Sequence, residues 1–243
     1  MPDSHNYQEL ATRYGLEPVP DSVTRLTQLV ARQEAPLDAI ARLIAEDKQL
    51  TASVLRAANP RAECEADYVT TTVEEALART GIGCALLLAM GAPLTFALHT
   101  TFDTMLGLKL ESKSLKTVTP LRSEHLSGRI GFSGKAEGQV VLHLSLESAR
   151  MIAAHVLGLA PQDDVNPAEI NDVVGELLNI VTGNFKSNLC DAGLNCRLQP
   201  PVVKRTTDFS GTAARRGVLE RMVFQTGQIL VFVDLTVNPW QNG

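Results

Sequence analysis

Residues 172–186 read DVVGELLNIVTGNFK and predict a long amphipathic helix. Its apolar side chains recur at the spacing of one helix face, which would be buried. Five other residues, spaced four, three, four and three apart, fall in one row on the opposite face, here called the polar stripe: Asp172, Glu176, Asn179, Gly183 and Lys186. Any amphipathic helix has a polar face. However, asparagine and glycine weaken a helix interior, glycine by roughly 1 kcal/mol relative to alanine, which favours a docking surface here.

The residues around the stripe predict an α+β fold with an antiparallel sheet. Asn166, Pro167 and Glu169 supply an N-cap, a first-turn proline and a capping-box glutamate, so the helix should run from Pro167 to about Leu189. Alternating apolar residues and glycine-containing turns predict strands over 129–132, 139–145, 194–198, 202–205, 218–225 and 228–237. Two further helices are expected over residues 93–106 and 147–157.

The first ninety residues predict helices only. Apolar spacing indicates one over residues 22–32, a second starting at Pro36 and a third over residues 50–58. Thr72 and Glu75 form the capping box of a fourth. We therefore expect a small all-helical bundle over residues 15–91. An α+β domain, with long helices packed on an antiparallel sheet, should follow over residues 92–243.

Composition excludes several classes of protein. A net charge of −5 and the lack of a basic block argue against nucleic-acid binding. Residues 81–102 carry no Asp, Glu, Lys or Arg, but their glycines and proline favour two buried helices over a membrane span. The N-terminus lacks the basic and apolar regions of a secretory signal, so the prediction is cytoplasmic. The cysteines lack zinc-ligand spacing and are expected to be reduced thiols without a metal; they are Cys64, Cys84, Cys190 and Cys196.

The polar stripe resembles the signature helix of the CheX and CheC phosphatases. Those families carry Glu-x-x-Asn followed by Gly-Asn, here Glu176, Asn179 and Gly183-Asn184. Residues 102–107, 138–145 and 198–203 are similar to the flanking elements of CheX. The resemblance implies a fold of the CheX/CheC type over about residues 92–243. Because the helix over residues 93–107 has no Glu-x-x-Asn, we expect one active site.

The same resemblance implies an activity. The protein would be a phosphatase that removes the aspartyl phosphate of a CheY-like response regulator in two-component or chemotaxis signalling. Asn179 would orient the attacking water and Glu176 would pair with a lysine of the regulator. Asp172, Gly183 and Lys186 would contribute to docking. The protein would have no cofactor of its own, since the regulator would bring Mg²⁺.

Two further hypotheses concern how the protein interacts with partners. The alternative to a phosphatase is a non-catalytic signalling adaptor that docks a regulator through the same helix. The intact pair of Glu176 and Asn179 favours the enzyme. A homodimer is also expected, because CheX-like domains pair by joining sheets. The long apolar strand over residues 228–237 is the exposed edge that we expect to pair.

The helical part resembles the HDOD family. Five stretches carry the likeness: residues 17–20, 44–47, 50–55, 58–59 and 73–77. Lys48 and Pro60 depart from the family pattern, and only about the first half of an HDOD domain fits, so the bundle is expected to be truncated. The chain contains no His-Asp dipeptide, which argues against a metal-dependent phosphohydrolase of the HD type. The resemblance implies an input or docking module for signalling.

Overall fold

The computed structural model describes residues 22, 25–26, 28–29, 36–59, 69–89, 91–134, 137–160, 162–191, 195–209 and 218–237. Over these ranges the protein is α+β, with N-terminal helices followed by an antiparallel sheet that carries further helices, as predicted. The helix expected over residues 22–32 lies mostly outside the described residues.

The helices are α1 (Leu37–Ala45), α2 (Lys48–Ala58), α3 (Val73–Thr80), α4 (Ile82–Ala89), α5 (Gly91–Leu106), α6 (Leu146–Val156) and α7 (Pro167–Asp191). The strands are β1 (Glu111–Lys113), β2 (His125–Gly134), β3 (Gly138–Ser145), β4 (Cys196–Leu198), β5 (Val202–Thr206), β6 (Val218–Thr226) and β7 (Ile229–Val237).

Local signals place the starts of α7 and α3 where they were expected. At the start of α7, the Ala168 amide donates to Asn166 Oδ1 at 2.9 Å, and the Asn166 amide donates to Glu169 Oε2 at 3.3 Å. Both arms of that capping box are therefore made. At α3, the Glu75 amide donates to Thr72 Oγ1. These caps satisfy amides that the first turn of a helix leaves without partners.

The sheet corrects one expectation. Its order is β1-β6-β7-β3-β2, all antiparallel, and β4 and β5 both pair with the outer side of β2. Strand β7 therefore lies between β3 and β6, with hydrogen bonds on both sides. The expectation that this strand is an exposed edge was wrong. A homodimer stays a prediction, which light scattering would test, and it would need another surface, such as the edges formed by β1 or by β4 and β5.

Helices α6 and α7 cover one face of the sheet, and α5 packs against α7. Phe185 of α7 meets Phe132 of β2 edge-on, with 6.2 Å between the ring centroids. At Gly128 of β2 an added Cβ would lie 3.3 Å from Leu178 Cδ2, so the missing side chain lets α7 lie close to the strand. Each large apolar side chain buried here contributes roughly 1.5–3 kcal/mol. This packing holds α7 in a fixed position on the sheet.

The N-terminal helices share their core with the sheet domain. The buried apolar residues of α1 to α4 and those of the sheet form one continuous cluster, and α2 packs against β6. The run without charged residues, 81–102, is divided between α4 and α5, both largely buried, as expected. Of the helices in the described ranges, none combines the length and apolar character needed to cross a membrane. The domain boundary at residues 91 and 92 stays a prediction.

Glu220 is an anomaly at the junction between α2 and the sheet. It lies opposite the fully buried Leu235 of β7, and its Oε2 is buried without a hydrogen-bond partner among the described residues. Gly91, at the start of α5, packs against this carboxylate: an added Cβ would lie 3.1 Å from Oε2. Burial raises the pKa of Glu220, and the charge of Arg56 on α2 opposes that rise only in part.

Glu220→Gln is expected to stabilise the protein at high pH. Because the folded-state pKa lies above the ordinary value of 4.5, folding favours the protonated carboxyl. The stability is therefore greatest below about that pH and is lost as pH rises through the raised pKa. The free energy of unfolding of Glu220→Gln should exceed the parent's at pH 8 by on the order of 1 kcal/mol and match it at pH 4. Urea unfolding at both pH values measures this, with the exposed Glu124→Gln as the control. Equal gains at both pH values would contradict it.

Candidate functional site

The polar stripe lies on the solvent side of α7. The opposite side is buried in the core through Val174, Leu177, Leu178, Val181 and Phe185. Asp172, Glu176 and Asn179 are exposed, and Gly183 and Lys186 are half-buried. The helical spacing thus brings all five onto one face, although their roles stay predictions.

Glu176 and Asn179 form the centre of the stripe. They stand about one turn apart, which corresponds to roughly 4.5 Å along the helix axis. Neither side chain makes a hydrogen bond or ion pair with another residue in the described part of the chain. Both are therefore available to a partner. The buried face of α7 fixes the backbone that carries them, so a partner would meet a preorganised pair.

Gly183 is not required by packing against the residues that the structure describes. A Cβ added there would meet none of their atoms within 4 Å, and the residue lies inside a regular helix. Gly175, on the buried side, differs because an added Cβ would contact Val203 Cγ2 at 3.6 Å. The helix-weakening residue at position 183 thus has no internal explanation, which fits close approach of another molecule.

Helix α5, which packs against α7, carries no Glu-x-x-Asn. Thr101 and Phe102 of α5 are buried, while Thr104 and Met105 are exposed. The one carboxylate of α5 is Asp103, and the helix has no carboxamide, so it lacks a second pair of this kind.

A second polar cluster, missed in the sequence, lies on the other face of the sheet. Arg221 of β6 donates twice to Asp234 of β7, with both N···O distances 2.6 Å, and His143 Nε2 lies 3.2 Å from Asp234 Oδ2. Phe209 covers the cluster, with the Arg221 guanidinium 4.1 Å from its ring centroid. Burial would raise the pKa of Asp234, but the hydrogen bonds from Arg221 and His143 outweigh burial and lower it.

This cluster is structural and separate from the stripe. The sheet stands between it and α7, and Asp234 is only 1% exposed. Two histidines of the sheet domain are hydrogen-bonded: His143 to Asp234 and His155 to the Leu106 carbonyl. No sequence signal marks Asp234 as part of a buried cluster, because it lies on the strand face that alternates with the apolar one. In the described part of the chain, no three His, Cys, Asp or Glu side chains lie together as metal ligands would.

The polar stripe lies in a part of the chain that matches a known protein family. A family model described as chemotaxis phosphatase CheX matches residues 126–220, which include all of α7. We call the matched segment, residues 126–220, the CheX domain. A model of the HDOD domain matches residues 16–118, so the chain joins an HDOD segment to the CheX domain. The HDOD match includes α5, which packs against α7 of the CheX domain. No curated protein matches the chain by sequence.

Two solved structures share the fold of the CheX domain. The chemotaxis protein CheX from Vibrio vulnificus is 25% identical, with a TM-score of 0.51; the match covers 61% of this chain and 96% of that one. A CheC-like superfamily protein from Shewanella sp. PV-4 is 22% identical, also with a TM-score of 0.51; the match covers 61% of this chain and 97% of that one. The predicted resemblance to the CheX/CheC family and the predicted α+β architecture are thus confirmed.

Proposed function

We propose that the CheX domain hydrolyses the aspartyl phosphate of a CheY-like response regulator, with α7 entering the regulator's active site. The observation that carries the proposal is the pair of Glu176 and Asn179, exposed and one turn apart on a helix whose other face is buried. The match of residues 126–220 to the family model described as chemotaxis phosphatase CheX supports the reaction class.

The chemistry assigned to Asn179 is positioning. In the reaction, a water oxygen attacks phosphorus and the bond between phosphorus and the aspartate oxygen breaks, which releases inorganic phosphate and a free carboxylate. Catalysis of phosphoryl transfer depends mainly on position and charge stabilisation. A carboxamide both accepts from and donates to the same water without carrying a titrating charge. Asn179 can therefore hold that water in line with the leaving oxygen.

Glu176 is assigned to docking. Its carboxylate is exposed and unpaired among the described residues, so it can form an ion pair with a lysine of the regulator. Such a pair fixes the register in which Asn179 arrives. Asp172 and Lys186 lie towards the two ends of the stripe and offer charges of opposite sign to the regulator's surface. The Mg²⁺ that neutralises the phosphoryl oxygens would come with the regulator.

The direct test is a phosphate-release assay. A panel of CheY-like regulators would be phosphorylated, mixed with the full chain, and followed for loss of the phosphoryl group. The proposal expects accelerated loss from at least one regulator. Binding to a regulator without acceleration would instead favour the non-catalytic adaptor, and neither binding nor acceleration across the panel would contradict both.

Gly183→Ala is expected to stabilise the protein and yet weaken docking. Alanine should raise the free energy of unfolding by roughly 1 kcal/mol, since no atom of the described residues lies within 4 Å of the added methyl group. If the regulator packs against position 183, the same methyl should cost about 1–3 kcal/mol of binding. Urea unfolding and titration with a regulator measure the two effects. Gly175→Ala is the matched control, because that position faces β5; unchanged docking in Gly183→Ala would remove Gly183 from the interface.

A further inference from the structure

Phe209 covers two buried histidines on the face of the sheet that lies opposite α7. Its ring meets His125 of β2 and His143 of β3 edge-on, with centroid distances of 5.7 Å and 5.4 Å. The Phe209 carbonyl oxygen also accepts a hydrogen bond from Arg221 Nη2 of β6 at 2.9 Å. Residues 207–209, here called the cover segment, therefore close over this face directly after β5 ends.

The two ring nitrogens of His125 have different surroundings, although the residue is completely buried. Nδ1 lies 3.1 Å from the carbonyl oxygen of Ser123. Because a carbonyl oxygen can only accept, Nδ1 carries the ring hydrogen and donates it. Nε2 is buried and has no hydrogen-bond partner among the described residues. In a neutral ring this second nitrogen holds a lone pair and no hydrogen, so the site fits the neutral form of His125.

A proton on Nε2 would meet charged and titratable side chains from several parts of the fold. They are His143 of β3, the exposed Lys204 of β5, Asp208 of the cover segment, Arg221 of β6 and Asp234 of β7. Arg221 binds both oxygens of Asp234, so that carboxylate is already neutralised by a guanidinium. A cationic His125 would therefore add a second positive charge near Arg221 and a buried N–H without an acceptor.

These surroundings lower the pKa of His125 from the ordinary value of 6.5. Burial is the main cause, and repulsion from His143 and Arg221 adds to it. The hydrogen bond to the Ser123 carbonyl and the charge of Asp208 oppose the decrease only in part. Protonation of His125 is thus unfavourable while the cover segment keeps water away from the ring.

We propose that His125 is the proton sensor of an acid-sensitive latch, in which protonation of its imidazole releases Phe209 and the rest of the cover segment from the sheet. Release lets water solvate the new N–H group, which has no partner in the closed state. It also widens a surface cleft of about 550 Å³ that Phe209, Arg221 and Phe232 help to line.

The direction of the pH dependence follows from proton linkage. The closed state binds the proton of His125 more weakly than the open state does. Closure is therefore most stable above about pH 6.5, the ordinary pKa of a histidine, and it weakens progressively as the pH falls below that value.

Hydrogen exchange followed by mass spectrometry tests the latch on the full chain. Labelling at pH 7.5 and pH 5.5, with times scaled to the intrinsic exchange rate at each pH, reports on a peptide that spans residues 206–209. Its Asp208 amide donates to Thr206 Oγ1 in the closed state. We expect opening of this peptide to increase several-fold at pH 5.5, with about tenfold as the limit for one histidine that binds a proton only when open. A peptide from α7 should keep its protection.

Three variants assign the response to one ring. His125→Phe keeps an aromatic ring that cannot be protonated, and His125→Asn keeps a donor for the Ser123 carbonyl. Either variant, if folded, should lose the acid response. His155→Gln is the matched control, because it removes an exposed histidine of α6 and should respond like the parent. Three results would overturn the proposal: no increase in the parent, an undiminished increase in both His125 variants, or an equal loss of protection in α7.

Discussion

Asn179→Ala is expected to lower the single-turnover rate of regulator dephosphorylation by about 10²–10³, the scale for one preorganised polar group at a transition state. Asn179 is exposed and makes no hydrogen bond within the described residues, so its removal should cost the fold nothing. Alanine is also the better helix former, which predicts equal or slightly higher stability. The loss of rate would therefore report lost positioning of water and not a damaged helix.

The rate is measured by rapid-quench dephosphorylation, with this protein in saturating excess over the phosphorylated regulator. Asn171→Ala is the matched control, since Asn171 is an exposed asparagine of the same helix. It lies roughly 80° around the axis from Asn179 and should keep the parental rate. If Asn179→Ala dephosphorylates the regulator at the parental rate, the mechanism assigned to Asn179 is wrong and the non-catalytic adaptor is favoured.

Glu176→Ala is expected to weaken binding of the regulator and to leave the hydrolysis step largely unchanged. Loss of one partner of a desolvated charge pair costs roughly 2–5 kcal/mol of binding, so the affinity for the regulator should fall by more than about tenfold. Once the regulator is saturated, the hydrolysis rate should return close to the parental value, because Asn179 is still in place. Titration with a regulator locked in its phosphorylated state by an unreactive phosphate mimic measures the affinity.

Charge can be separated from shape at this position. Glu176→Gln keeps the size and hydrogen-bonding capacity of the side chain but removes the ion pair, so it should lose most of the affinity that alanine loses. If Glu176→Gln binds like the parent, the predicted lysine partner is wrong. If Glu176→Ala instead loses rate at saturation with unchanged affinity, then Glu176 acts in the chemical step.

The polar stripe could be predicted from the sequence because the residues that define it all lie on one helix. Asn166 and Glu169 mark where α7 begins, and their hydrogen bonds form as the spacing indicated. The three- and four-residue period then sends Glu176 and Asn179 outward together, whatever the helix packs against. The end of α3 at Gly81 and the hairpin between β6 and β7 follow from equally short stretches.

The order of the strands needed the tertiary structure. An alternating sequence such as β7 presents the same pattern at an edge or in the middle of a sheet, since hydrogen bonds on both sides come from residues remote in the chain. Thus β7 was placed at an edge although it is central. Strand β1 was missed because its three residues, Glu-Ser-Lys, have no apolar alternation and pair only because β6 lies beside them.

Asp234 shows the same division at the level of one side chain. By sequence, its strand has one apolar face and one open face, and Asp234 belongs to the open one. In the fold, Phe209 covers that position and Arg221 and His143 supply hydrogen bonds to the carboxylate. Local periodicity determines which way a side chain points. What lies over it, and whether a charge there is solvated or buried with a partner, depends on segments brought together only when the chain has folded.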